Sequence, residues 1–272
     1  MPCLPDCRCQ AEVGHGGRYT GPADVPGGVW GCQMKDVLSH KKQYAIINGD
    51  CLHVMRDLPD KCVDAVITDP PYGIDFQSRR TNKEKRHKKI ANDKRPFIWW
   101  LYDAYRVTKD GGALLCFCRW DVQEVFRQAI EWAGFKIKSH VIWDRGTHGM
   151  GDLKASYAPQ HDIIWFAIKN GFSFGGNRPH SVLRCQRLPA KKLNHPNEKP
   201  IELMVQLIMH VTKEGSLVLD PFLGSGTTAI AALNMGRRII GIELDRQHYR
   251  ICLDRVLPEV EKRMFTDGGA YQ

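Results

Sequence analysis

From Tyr44 onward, short apolar runs alternate with segments whose apolar residues recur at helical spacing. "YAIINGD" (44–50) predicts a strand ending in a Gly-Asp turn. "CLHVMRDLP" places Leu52, Met55 and Leu58 on one helical face, and Pro59 stops it. "VDAVITD" predicts a buried strand, and "PFIWWLYDAYRVTK" a helix initiated by its proline. "GGALLCFC" reads as a strand, "DVQEVFRQAIEWAG" as a helix closed by Gly134, and "FKIKSHVIWD" and "HDIIWFAIK" as strands. Residues 170–198 read as irregular, basic and polar. Beyond them, "KPIELMVQLIMHVTK" predicts an amphipathic helix, "GSLVLDPF" a strand, "SGTTAIAALNMG" a helix, "RRIIGIELD" a strand and "RQHYRICLDRVLPEVEKR" a helix. Residues 1–40, rich in Gly, Pro and Cys and without periodicity, predict an irregular extension, and 266–272 a tail.

Strands separated by helices of roughly 10 to 15 residues imply parallel βαβ units with helices on both sheet faces. Near-continuous apolar strands such as "DAVIT" and "LVLD" fit that burial. The expected fold is therefore α/β, a mostly parallel doubly wound sheet spanning 41–265 with an insertion near 170–195. Ligands of such sheets bind at the carboxyl ends of the strands. Asp50, Asp69 and Asp220 each end a strand, and Glu243 lies near the end of a fourth. Four acids on one edge make a candidate site; one alone is more often a helix cap.

Charge narrows the partner. The chain of 272 residues carries a net charge of +9. Segment 79–95 holds nine Lys/Arg against Glu84 and Asp93, and 178–199 holds six against Glu198. Such concentrations suit a polyanion, most simply nucleic acid, although charge runs also occur as merely solvated loops. No run reaches the roughly 18 apolar residues of a membrane span, and "MPCLPDCRCQ" has no apolar signal-peptide core. The expectation is a cytoplasmic protein without membrane partners. Ten cysteines are then expected as thiols, six of them scattered as small core residues. Cys3, Cys7, Cys9 and His15, with Cys32 nearby, could supply the ligands of a structural zinc, but C-x3-C-x-C is not the usual knuckle spacing.

Two strand ends carry chemistry. "DPFLGSGTTA" (220–229) is a strand end, a glycine turn and a helix start, the arrangement that lets a nucleotide approach the backbone. Glu243, on the next strand, can accept hydrogen bonds from ribose hydroxyls. "GSGTTA" also satisfies the dinucleotide pattern G-x-G-x-x-A, but the acid at Asp220 disfavours a pyrophosphate and favours a ligand with a cationic centre, such as S-adenosylmethionine. In "DPPY", Asp69 and the Pro70 carbonyl are acceptors for the N–H groups of a base amino group. Pro70 and Pro71 stiffen the turn, and Tyr72 offers a face on which an extruded base can stack. The carboxylate of Asp69 is expected to stand uncovered until substrate arrives.

"TDPPYGI", "VLDPFLGSGTT" and "HPNEKPIELM" together resemble the DNA amino-methyltransferases that modify adenine N6 or cytosine N4, in the circularly permuted β-type order, over roughly residues 44 to 257. The resemblance implies a Rossmann-like class I methyltransferase fold and S-adenosylmethionine as cofactor. It implies Asp69, Pro70, Pro71 and Tyr72 as the catalytic tetrapeptide. It places Asp220, Phe222, Gly224, Gly226 and Thr227 in the cofactor loop, Glu243 on the ribose, Asp50 near the cofactor's adenine and Lys199 near its methionine part. An initial Asp in the tetrapeptide leans toward adenine, and the division is imperfect. The implied partner is double-stranded DNA, gripped by the basic loop at 77–95 and read from 170–195. The resemblance leaves room for a homodimer and for a separate restriction endonuclease. Competing readings are a nicotinamide-dependent oxidoreductase, which leaves "DPPY" unexplained, and a non-enzymatic DNA-binding module, which would not need Asp69 or Tyr72.

Overall fold

The computed structural model describes residues 29–73, 95–149, 154–186 and 198–267. Eight strands form one sheet: β1 (Tyr44–Asn48), β2 (Val63–Thr68), β3 (Thr108–Cys118), β4 (Lys136–Asp144), β5 (His161–Ile168), β6 (Val182–Arg184), β7 (Leu217–Asp220) and β8 (Arg238–Glu243). Their order is β1-β8-β7-β2-β3-β5-β4-β6. Every neighbouring pair is parallel except those made by β5, which runs against both β3 and β4. The carboxyl ends of β1, β8, β7, β2 and β3 therefore share one edge. Asn48 stands opposite Glu243, Asp220 opposite Gly241 and Thr68 opposite Cys116.

Helices cover both faces. α1 (Val29–Leu38), α2 (Cys51–Arg56), α3 (Leu101–Val107) and α4 (Gln123–Trp132) contribute Met34, Val54, Leu101 and Phe126 to one core layer. α5 (Ile201–Val211), α6 (Thr227–Asn234) and α7 (Arg246–Asp267) contribute Leu203, Ile230 and Cys252 to the other. The central strands are apolar because both their faces lie in these layers. The polar exception in β2, Asp64, is bonded rather than stranded: its carboxylate accepts from the Leu217 amide and the Lys109 ammonium, both at 2.7 Å.

Three expectations are corrected. The segment 1–40 is not wholly irregular, since α1 packs Met34 and Val37 into the core, and Arg238 donates to the Val37 carbonyl at 2.6 Å. The proline-led helix starts at Leu101, not at Pro96. Residues 96–100 instead form a turn in which the Trp100 indole donates to the Phe97 carbonyl at 2.9 Å. The irregular stretch 170–198 contains β6, which pairs with β4. The basic segment at 79–94, residues 187–197 and the proposed zinc ligands Cys3, Cys7, Cys9 and His15 lie outside the described residues. Cys32 is exposed on α1 with a free thiol. Among the described residues no cluster of His, Cys, Asp and Glu could hold a metal, and no helix is long and apolar enough to cross a membrane.

Candidate active site

β2 delivers "DPPY" to the middle of the shared edge, between β7 and β3. The turn is held locally. The Pro71 carbonyl accepts from the Phe97 amide at 3.2 Å, and Gly73 takes a φ of +80° where a Cβ would sit 2.2 Å from the Arg95 backbone. Among the described residues nothing donates to the Pro70 carbonyl, so this acceptor remains available. Tyr72 is half-buried and meets Phe126 edge-on, with ring centroids 6.3 Å apart.

Asp69 is not uncovered, contrary to expectation. The Tyr72 hydroxyl donates to its Oδ1, and the Lys199 ammonium donates to its Oδ2. Lys199 reaches Asp69 from just before α5, over the Phe117 ring at 4.8 Å. The physical reason is desolvation: the Asp69 side chain keeps only 26% of its exposure, and a half-buried carboxylate finds donors. Each oxygen retains a lone pair, so Asp69 can still accept from an incoming amino group. Burial, then the neighbouring Asp69 carboxylate, hold the Tyr72 phenol well above its usual range, which keeps its proton in place.

The second strand end is drier. Asp220 is 2% exposed. The Thr68 hydroxyl donates to its Oδ1 at 2.6 Å and the Phe222 amide at 3.0 Å. Burial outweighs these bonds and pushes the carboxyl up to about 6. The glycine turn follows. Gly226 caps α6 at φ +87°, where a Cβ would lie 2.6 Å from the Cys252 sulfur. Gly224, at φ +56°, faces open space. The Glu243 carboxylate accepts from the Gly224 and Asp245 amides, both at 2.8 Å, so it anchors the turn from β8. Burial pushes its carboxyl up. Phe222 forms an aromatic wall with Phe97 and Trp100, at centroid distances of 5.9 and 5.4 Å. Asp50, in contrast, caps α2 by accepting from the Leu52 amide at 2.9 Å.

Four contributors escaped the sequence reading. Thr68, Phe97 and Trp100 are neighbours of predicted elements whose direction only the fold sets. The fourth is a buried ion pair, Arg255 of α7 with Glu198. Arg255 also donates to the Ser225 carbonyl in the glycine turn at 2.7 Å. Since Glu198 precedes Lys199, this pair ties the turn to the segment that reaches Asp69. A charged residue beside each motif was the only available signal.

The residues fit S-adenosylmethionine. Acids at Asp220 and Glu243 suit a sulfonium, an amine and ribose hydroxyls. Gly224 leaves room for close approach. The Thr227 hydroxyl is buried with no hydrogen-bond partner among the described residues, a cost that a polar ligand atom would remove. When bound, this cofactor supplies an electrophilic methyl group.

Comparison with known proteins agrees. The family model described as DNA methylase matches residues 63–180 and 175–254. YubD of Escherichia coli (strain K12), which carries the name of a methylase, is 33% identical over 236 residues, covering 80% of this chain and 92% of YubD. The solved structure of the M1.HpyAVI–SAM complex superposes with a TM-score of 0.63 at 23% identity, covering 78% of this chain and 98% of the other. The cytosine-N4-specific PvuII DNA methyltransferase superposes with a TM-score of 0.60 at 15% identity, covering 81% and 92%. These two likenesses concern the fold. The chain belongs to the N6/N4 DNA methylase family, the S-adenosylmethionine-dependent amino-methyltransferases of DNA.

Proposed function

We propose that this protein methylates adenine N6 in double-stranded DNA, with Asp69, Pro70, Pro71 and Tyr72 as its catalytic turn. The observation that carries the reading is the pairing of two acceptors at one strand end: the Asp69 carboxylate and the Pro70 carbonyl, which has no donor among the described residues. An amino group conjugated with a base ring is a poor nucleophile, because its lone pair is delocalised. Two fixed acceptors aimed at its N–H groups favour the pyramidal nitrogen that attacks, and the stiff Pro-Pro turn limits reorganisation. The new N–C bond forms as the S–C bond breaks. The nitrogen becomes cationic and its proton leaves afterwards, so Asp69 orients and stabilises rather than acting as a strong base. Tyr72 lends its face to the extruded base. Asp220, Phe222, Gly224, Gly226, Thr227 and Glu243 hold the cofactor. Lys199 acts on Asp69 as its counter-ion, and Asp50 acts through the β1–α2 turn.

The initial Asp of the tetrapeptide supports adenine. Incubation with labelled S-adenosylmethionine and genomic DNA, followed by nucleoside analysis, tests the reading. N6-methyladenine is expected, with its rate of formation lowered by about 10²–10³ in Asp69→Ala. N4-methylcytosine instead would overturn the choice of base, and equal label from wild type and Asp69→Ala would overturn the catalytic assignment.

A further inference from the structure

The sheet order decides from which side DNA must come. The cofactor residues sit on β7 and β8, "DPPY" sits on β2, and β3 lies on the far side of β2. Methyl transfer is an in-line displacement, so the attacking nitrogen and the departing sulfur lie on opposite sides of the methyl group. With the cofactor over β7 and β8, as the proposed function has it, a base held at "DPPY" on β2 would have its duplex toward the carboxyl end of β3.

That end carries an unusual residue. β3 is buried from Ala113 through Cys118, and the chain then exposes Trp120 at 68%. The register pairs Thr68 with Cys116, so the chain leaves β3 toward Trp120 beside the end of β2 that carries "DPPY". Proximity is felt at Cys118, whose thiol is pushed up to about 12 by burial first and then by the Asp121 and Asp69 carboxylates. The turn around Trp120 is braced. The Arg119 guanidinium grips the Asp121 carboxylate twice, at 3.1 and 2.8 Å, and the Val122 amide donates to the Arg119 carbonyl at 3.3 Å. An indole held in water on a fixed turn costs solvation and returns no folding energy, which suits a residue whose partner is a ligand. The other exposed aromatics lie further from the end of β2. Trp132 ends α4, Tyr102 lies on α3, Trp99 adjoins Trp100, which packs on Phe222 at the cofactor side, and Tyr157 lies in the β4–β5 connection, with β5 between β4 and β3.

We propose that Trp120 is a DNA-contacting wedge that stacks in or against the duplex beside the extruded base and stabilises the flipped state. The proposal rests on the amino-methylation reading above. Extrusion costs unstacking and unpairing, and an inserted aromatic side chain offsets part of that.

The test is single-turnover methylation by full-length wild type, Trp120→Phe and Trp120→Ala. Two duplexes carry the mapped target adenine, one with its normal thymine partner and one with an abasic site opposite. Trp120→Ala should slow methylation of the intact pair about tenfold or more, and stay within about twofold of wild type on the abasic duplex, where extrusion is nearly free. Trp120→Phe should fall between. Binding to a duplex with 2-aminopurine at the target should give a smaller fluorescence rise for Trp120→Ala. Equal wild-type and Trp120→Ala rates on the intact pair, or equal losses on both duplexes, would overturn the wedge. Wild type inactive on both would sink the amino-methylation reading itself, whereas a wedge failure alone leaves wild-type methylation intact.

Discussion

β2 and β7 are adjacent parallel strands, and both end in Asp-Pro, yet the two aspartates have opposite surroundings. Asp69 keeps about a quarter of its side-chain exposure and meets a cation and a phenol. Asp220 is sealed, meets the neutral hydroxyls of Thr68 and Thr228 and the Phe222 amide, and carries a carboxyl raised to about 6. The same dipeptide thus yields a charge-balanced acceptor at one strand end and a desolvated acid at the next. A charge-balanced carboxylate can accept from a neutral amino group without binding a cation tightly. A desolvated carboxylate without a counter-ion suits a ligand that brings positive charge. Under the proposed function, the base goes to Asp69 and the cofactor's cationic part to Asp220.

The largest expected effect separates catalysis from folding. Asp69→Ala should lower kcat by about 10²–10³, the usual cost of losing one preorganised transition-state partner, while S-adenosylmethionine binding by calorimetry persists. A comparable loss of cofactor affinity would erase the distinction between the two ends.

The link between the ends comes next. Arg255→Met leaves the Glu198 carboxylate, whose side chain is 3% exposed, without its arginine, and removes the donor to Ser225. A stability loss of about 3 kcal/mol is expected from denaturant unfolding. Arg255→Lys should restore part of it.

Asp220 makes a prediction of sign. Its folded-state carboxyl, at about 6, lies above the ordinary aspartate value of 3.8, so the folded protein binds more protons than the unfolded chain between those values. The associated stability is complete below the lower value and is lost as pH rises through about 6. Thermal melts of the ligand-free protein should therefore lose up to roughly 3 kcal/mol of stability from this group between pH 4 and pH 7, and Asp220→Asn should flatten that slope. Cofactor affinity should move the other way, weakening in wild type as pH falls below about 6. If Asp220→Asn leaves both profiles unchanged, burial is not what distinguishes the two aspartates.

Smaller effects refine the picture. Thr68→Val removes the hydroxyl bonded to Asp220 and should cost about 1–2 kcal/mol near pH 7. Thr227→Val should leave the ligand-free melting temperature unchanged or slightly higher, since its hydroxyl bonds to nothing among the described residues. Its cofactor affinity should fall by about 1 kcal/mol in a titration.

The periodicity of "VDAVIT", "LVLD" and "RIIGIE" was enough to place three central strands, because burial on both faces leaves an unbroken apolar run. Helix α1 was obscured by the Gly- and Pro-rich residues around it, although Met34, Val37 and Leu38 share a helical face. β6, of three residues, is too short for any periodic signal and exists because β4 offers an edge.

The chemistry divides in the same way. The motifs by themselves determined which residues stand at the strand ends, because a tight strand-to-helix turn needs glycine and a stiff catalytic turn needs proline. They did not determine what those residues touch. The bond from Lys199 to Asp69 spans 130 positions, that from Thr68 to Asp220 spans 152, and Arg255 reaches Glu198 across 57. Backbone preference is local and is written in neighbouring residues. Desolvation and ion pairing depend on what the sheet order brings together, and only the tertiary structure decided that one Asp-Pro would be neutralised by a lysine and the other left buried with its charge unbalanced.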